Sequence, residues 1–320
     1  MAIFGKGIRL VVYDGSKNPV LETRDLRVDF DIRLLQGFNR AKVDIYNLAS
    51  STIKEMSNGE RYVSLWVSLH GSPEVKIMDS YYVNNAYTEK RVPNSITSLY
   101  CIDSLRKTFT SQQAEISVKK PGLKRVLESL KTFSTGTLHF EYIDFPPDIE
   151  KFDFTAPVYV FSGEVADCLD ELGKQYGFTH HMSSAGNNIR IIELVYRPLQ
   201  KNIHQTTQSD RAKITLLTSN MRSNPIVGVA QLQIESNLDP LIRCGSLLDT
   251  SQLLTATVED GFDTLVIDDQ YLNSSVSGWS IFNVLSCNHL GSTHSSKWST
   301  KAIAYKSAKG THLSKYNWYE

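Results

Sequence analysis

The residues with which this 320-residue chain could do chemistry are eight histidines, four cysteines and scattered carboxylates, and their spacing argues against most of it. His180 and His181 are adjacent, so in a strand their rings point to opposite faces and cannot share a ligand. His289 and His294, in Asn-His-Leu-Gly-Ser-Thr-His, are five apart. Neither helix nor strand brings them together without a turn, and no acidic or cysteine residue stands at metal-site spacing beside them. That segment is expected to be a polar loop between two strands. Cys101, Cys168, Cys244 and Cys287 form no CxxC pair, which argues against a zinc knuckle or a thioredoxin-type site. Four reduced, mostly buried thiols made in a cytoplasm are expected instead.

Glu164, Asp167, Asp170 and Glu171 crowd one short stretch, where they read as the solvated face of a helix opposite Val165, Leu169 and Leu172. A glycosidase needs two carboxylates roughly 5–9.5 Å apart in a cleft, and nothing in the sequence selects a pair. There is no GxSxG elbow, no papain-type cysteine context, no GxxxxGK[ST] loop and no GxGxxG after a strand. The expectation is therefore no catalytic, cofactor-binding or metal-ligating residue, and a protein that works by shape and assembly.

The elements around these residues are mostly strands. From Leu26 to Leu34, Leu26, Val28, Phe30, Ile32 and Leu34 alternate with Arg27, Asp29, Asp31 and Arg33, so one sheet face is buried and the other wet. Ala41 to Ile45 alternates again. Ser50 to Met56 reads as a short helix ended at Asn58-Gly59, and strands are expected at 62–69, 74–86 and 96–102. Pro121-Gly122 precedes Leu123, Val126, Leu127, Leu130 and Phe133 on one helical face. A strand at 138–143 and a proline-marked loop at 144–157 follow. A second helix opens at Gly163 and stops at Gly177, and Asn187-Asn188 turns into a strand at 189–195. Residues 202–213 read as a polar linker, and strands are expected at 227–234, 254–258, 264–267, 279–287 and 297–305. The last fifteen residues read as an exposed tail.

The predicted fold class is mainly β with an α+β insert: two antiparallel β-barrels flanking a small two-helix domain. The expected boundaries are 1–106, 107–200 and 201–320. The balance of 34 basic and 34 acidic residues gives no whole-chain grip on nucleic acid or anionic membrane. No apolar run reaches the ~20 residues that span a bilayer, and no export signal is expected at the N-terminus.

One internal echo stands out. With an offset of 189 residues, Ala41, Val43, Ile45 and Ile53 fall on Ala230, Leu232, Ile234 and Ile242. In both copies a strand is expected to run into a short helical segment, then a glycine, Gly59 or Gly245, then another apolar run.

The order of these features resembles a known family. The motifs are Lys42-Val-Asp-Ile-Tyr-Asn-Leu48 before the short helix and Asn58-Gly59; Cys168-Leu-Asp-Glu-Leu-Gly-Lys-Gln-Tyr-Gly177; Pro225-Ile-Val-Gly228 with Leu238-Asp-Pro-Leu-Ile242; and the hairpin carrying Phe282-Asn-Val284, His289, Gly291 and Trp298. Together they look like the baseplate hub proteins of contractile-tailed bacteriophages, related to the base of type VI secretion spike proteins. Family members often carry an acidic residue after the hairpin glycine, where this chain has Ser292.

The resemblance implies a virion structural protein of the tail baseplate with two tube-like barrels per chain. Three chains would give six barrels, a homotrimer that meets a six-fold tube on one side and a three-fold spike on the other. The implied partners are the tail tube protein, the central spike, other baseplate proteins and the tape measure protein. Genomic DNA would pass through the lumen without specific binding, and the chain would not insert in a membrane. Three rivals remain: a glycan- or receptor-binding tail protein using Trp279, Trp298 and Trp318, a cell-wall hydrolase, and another tube or sheath-initiator component.

Overall fold

The computed structural model describes residues 6–35, 37–56, 58–69, 72–133, 137–143, 145, 157–185, 189–196, 213–227, 231–253, 255–258, 264–266 and 281–306. The Asn187-Asn188 turn, the 202–213 linker except Lys213, most of the 144–157 loop, Ala230, Trp279, Trp318 and the tail beyond Lys306 lie outside them.

The first part contains β1 (Lys6–Asp14), β2 (Pro19–Thr23), β3 (Val28–Leu34), β4 (Asn39–Tyr46), α1 (Ser50–Met56), β5 (Arg61–Leu69), β6 (Val75–Arg91) and β7 (Asn94–Ile102). There follow α2 (Ser104–Ser111), β8 (Gln113–Lys119), α3 (Leu123–Leu130), β9 (Thr137–Ile143), β10 (Val158–Glu164), α4 (Val165–Tyr176), β11 (Phe178–Ala185) and β12 (Ile189–Tyr196). The last part comprises β13 (Lys213–Thr215), β14 (Ile226–Val227), β15 (Gln231–Asn237), β16 (Leu247–Asp249), β17 (Thr255–Val258), β18 (Thr264–Val266), β19 (Ile281–Ser292) and β20 (Trp298–Lys306). The chain is thus mainly β with an α+β insert.

Alternation becomes structure most directly in β3 and β4. Val28, Phe30, Ile32, Ala41, Val43 and Ile45 are buried in one core with Ile8, Leu10, Val12, Val63 and Leu65. β1 and β3 stand far apart in the order β3-β4-β7-β6-β5-β1-β2 yet share that core, so the sheet curls around it. No strand pair closes it among the described residues. It opens instead onto β19, and one fifteen-stranded sheet runs through both β-rich parts.

A second core gathers Leu232, Ile234, Ile242, Leu248, Phe282, Val284, Ala302 and Ala304. The third belongs to the α+β insert, where Leu123, Val126, Leu127 and Leu130 of α3 meet Val165, Cys168, Leu169 and Leu172 of α4. There β9 pairs parallel with β12, β11 pairs antiparallel with β12, and β8 pairs with β10. The helix α4 ends at Gly177, whose φ of +72° is left-handed as a glycine cap permits.

Several expectations shift. β6 is a single strand to Arg91, longer than expected, and forms a hairpin with β7. Gly163 lies in β10, and α4 begins at Val165. A further helix, α2, spans residue 106, and its Phe109 belongs to the α+β core. After β15 the chain turns rather than forming a helix: Ile242 N–H donates to the Asp239 carbonyl at 3.3 Å and Ser246 N–H to that of Arg243 at 3.0 Å. Gly59 and Gly245 do share a left-handed φ, +77° and +81°.

The echo between the two halves extends to topology. β4 pairs with the strand before it, β3, and with the last of its half, β7; β15 likewise pairs with β14 and β20. The neighbour orders β3-β4-β7-β6-β5-β1 and β14-β15-β20-β19-β16-β13 therefore correspond strand for strand. They differ in sense at the end, because β1–β5 is antiparallel and β13–β16 parallel.

Gly291 is where the halves meet most closely. A Cβ there would overlap the Phe30 ring, which packs edge-on to Trp298 at 6.0 Å. Gly291→Val is expected to destabilise the protein by about 2 kcal/mol through overpacking, read as a lowered urea midpoint with an unchanged slope. An unaltered midpoint would contradict this packing.

Candidate assembly face and the inter-half seam

β19 is the strand on which the two halves join. Along one edge it pairs with β20. Along the other, Ile281–Asn283 face β16 and Cys287–Ser292 face β3. Side chains directly opposite one another share a face, so Cys287, His289 and Gly291 lie inward with Leu34, Ile32 and Phe30. Asn288, Leu290 and Ser292 lie outward with Arg33, Asp31 and Asp29. Side chains lock the register at one end: Ser292 Oγ donates to Asp29 at 2.6 Å, Val28 N–H donates to the Thr293 hydroxyl, and Thr293 N–H to the Val28 carbonyl.

The outward positions form one wall across β7, β4, β3, β19, β20 and β15. One row runs Tyr100, Lys42, Asp31, Leu290, Ser299, Asn237, and the next Ile102, Arg40, Arg33, Asn288, Lys301, Glu235. Three of its four cations are paired locally. Arg33 meets Asp31 at 2.9 Å, Lys42 meets Asp44 at 2.8 Å and Lys301 meets Glu235 at 3.4 Å. Half-exposed pairs of this kind contribute under about 1 kcal/mol each. They leave a face of mixed charge on which Arg40 stands outside these pairs.

All four cysteines are free and buried; burial pushes the Cys101 thiol up to about 12 and Cys168 to about 11, which keeps both protonated and unreactive. Cys244 donates to the Leu34 carbonyl at 3.2 Å across the seam. His180 and His181 are both buried. His180 sits 3.7 Å from Asp170 while its backbone carbonyl accepts from Gly37 N–H, tying the α+β insert to the first half. His181 lines a cavity of about 360 Å³ with Asn39, Tyr81, Asp103, Glu193 and Arg243, where strands of the insert meet both β-rich halves. Asp167 and Glu171 are exposed on α4 as expected. Among the described residues no three His, Cys, Asp or Glu side chains group as metal ligands.

Two expectations are corrected. His289 is not in a loop: it lies within β19, fully buried, with Nδ1 2.9 Å from the Thr300 hydroxyl, while His294 follows in the turn. Trp298 is not a surface aromatic; it is 3% exposed, packed on Phe30 with the Lys6 ammonium over its ring. For Trp298 no local signal exists, because Phe30 and Lys6, against which it packs, come from the first half.

Burial lowers the His289 pKa to about 4. The unfolded chain, with an ordinary imidazole near 6.5, binds the extra proton between those values, so this contribution to stability is complete above pH 6.5 and is lost as pH falls toward 4. Stability should fall over that window by an amount on the order of 3 kcal/mol from this residue. His289→Gln should flatten the slope of denaturation midpoint against pH between 4 and 6.5. Parallel pH profiles for variant and parent would contradict it.

No family model matches the sequence, and no curated protein matches it. Solved structures do. A component of the Escherichia coli type VI secretion system, the c3393 protein, described as similar to the T4 bacteriophage tail proteins gp27 and gp5, matches with a TM-score of 0.55 at 10% identity, over 89% of this chain and 74% of that one. The Francisella PdpA–VgrG complex in its half-lidded form matches with 0.58 at 8% identity, over 96% of this chain and 59% of that one. The 43 kDa tail protein of prophage MuSo2 from Shewanella oneidensis matches with 0.53 at 8% identity, over 94% and 97%. The chain therefore has the fold shared by phage tail proteins and type VI secretion VgrG proteins, the group that its sequence motifs resemble.

Proposed function

We propose that this chain is the hub of a phage-type tail baseplate, a homotrimeric adaptor between the tail tube and the central spike, and that it does no chemistry itself. The observation that carries the reading is the strand-for-strand correspondence of the two β-rich halves, joined edge to edge at β3 and β19. One chain then contributes two similar units, and three chains present six, which suits a six-fold tube above and a three-fold spike below. The units are those drawn at 1–106, 107–200 and 201–320, the middle one flanking the ring.

The wall across the seam is assigned to the central passage. Three of its four cations, Arg33, Lys42 and Lys301, are held by neighbouring carboxylates, so a polyanion sliding past finds little to release counterions against. That suits DNA transit without retention. Tail tube, spike, other baseplate proteins and the tape measure protein are the partners this role requires. The glycan-binding alternative loses Trp298, which is buried in the joint core.

The test is the mass of the purified protein by light scattering, with negative-stain imaging of the same peak. Three times 36.1 kDa, seen as a ring with a central hole and six lobes, is expected. A ring without six-lobed symmetry would refute the adaptor. A persistent monomer that binds neither tube nor spike protein would also refute it.

A further inference from the structure

The two halves cover one end of their cores differently. In the first, the connection from β1 to β3 carries β2, and the segment after β4 carries α1. α1 lies against β2, and Val20, Leu21 and Ile53 pack with the buried Met56 on the first core. Glu22 of β2 meets Arg9 at 2.8 Å. A segment that mixes aliphatic side chains with a carboxylate thus covers this end. In the second half the connection from β13 to β14 carries no strand, only the single turn Thr218–Asn220. The segment after β15 turns at Asp239 and Arg243 without forming a helix. A cavity of about 660 Å³ lies between that connection and that segment.

Its walls are apolar and its unpaired charges are cationic. Leu217, Leu238, Pro240 and Ile242 line it, and Ile242 is the residue that the 189-residue offset lays on Ile53. Leu217 is 39% exposed there. Lys6 and Arg222 line it as well, close enough that the Arg222 charge adds to burial in lowering the Lys6 pKa. Arg222 Nη1 donates to the Ser296 carbonyl at 3.2 Å and the Trp298 carbonyl at 3.1 Å, which fixes the guanidinium. Neither cation forms an ion pair among the described residues. Asp239, the carboxylate of the lining, accepts from Leu241 N–H at 2.9 Å. Trp298 completes the wall, with the Lys6 ammonium 5.4 Å from its ring centre.

We propose that this cavity is the docking site for an extended segment of a partner protein in which one acidic side chain stands beside aliphatic ones, the part that β2 plays within the first half. The carboxylate lies between Lys6 and Arg222, relieving the repulsion between them, and the planar guanidinium suits it. The aliphatic side chains cover Leu217, Leu238, Pro240 and Ile242 and remove that surface from water. The cavity falls in the range of roughly 300–1,000 Å³ that takes a ligand larger than one side chain, so a segment of several residues is the occupant. The inference rests on the assembly reading only in taking the ligand to be a protein.

The test titrates the full-length protein with a fluorescein-labelled peptide Pro-Val-Leu-Glu-Thr, the sequence of β2, and with the same peptide carrying Gln for Glu, read by fluorescence anisotropy. Binding of the acidic peptide is expected. Each of the peptide Gln replacement, Arg222→Gln and Lys6→Gln should weaken it about tenfold, as loss of a hydrogen bond to a charged group does. Lys6 makes no hydrogen bond through its side chain among the described residues, so Lys6→Gln keeps the test valid if Arg222→Gln disturbs the turn it holds. No binding, or binding that survives both protein variants, would overturn the site. Equal binding of the two peptides would overturn the role given to the carboxylate. An oligomer mass that falls on Arg222→Gln would assign the cavity to a second copy of this chain and overturn the partner. The mass of the parent protein remains the separate test of the assembly reading.

Discussion

The six-residue ladder between β3 and β19 is the constraint on which the rest of the molecule depends. An edge strand must find partners for its backbone groups or leave them to water. Here β3 is an edge of the first half, and β19 closes it with a strand from the other end of the chain. Close approach requires Gly291 under Phe30. Ser292 and Thr293 then bond to Asp29 and Val28, and Trp298 enters the core of the first half. An acidic residue at 292 would set its carboxylate against that of Asp29, which is a physical reason for serine at this position.

Once the ladder is fixed, the faces follow from strand alternation. The inward residues divide into three cores, and the outward residues join into a single wall that neither half could make alone. Buried polar groups concentrate where these cores approach one another: His180, His181, Asn39 and His289 are all nearly inaccessible. The bond from Gly37 N–H to the His180 carbonyl crosses this junction and is directional, whereas apolar contacts alone would tolerate sliding. The cost of the junction appears as the depressed pKa of His289 and the lowered pKa of His180, for which burial is the leading cause.

How much of this was legible in the sequence depended on where each segment's partners lie. β3 and β4 were read almost to the residue because one face is wholly buried and the other wet. The amphipathic α3 and the glycine-ended α4 were equally plain. The full length of β6 is not legible because its distal half stands in solvent and shows no alternation, and α2 leaves no apolar signature because Ser104–Ser111 is mostly polar. Trp298 is not legible as a core residue because its surroundings, Phe30 among them, come from residues about 250 positions away in sequence; His289 sits in a polar stretch that reads as loop although it pairs with Ile32 in β3. The offset of 189 residues between Val43 and Leu232 did identify the correct pair of strands. It could not reveal that the two halves are joined.

Native-state hydrogen exchange along β3 and β19 tests the joint most directly. If the ladder unites the halves, the amides it holds, between Asp29 and Leu34 and between Cys287 and Ser292, exchange only through global unfolding, with the same denaturant dependence as the two flanking cores. Release of these amides at lower denaturant than the cores, with the halves then unfolding separately, would contradict the account.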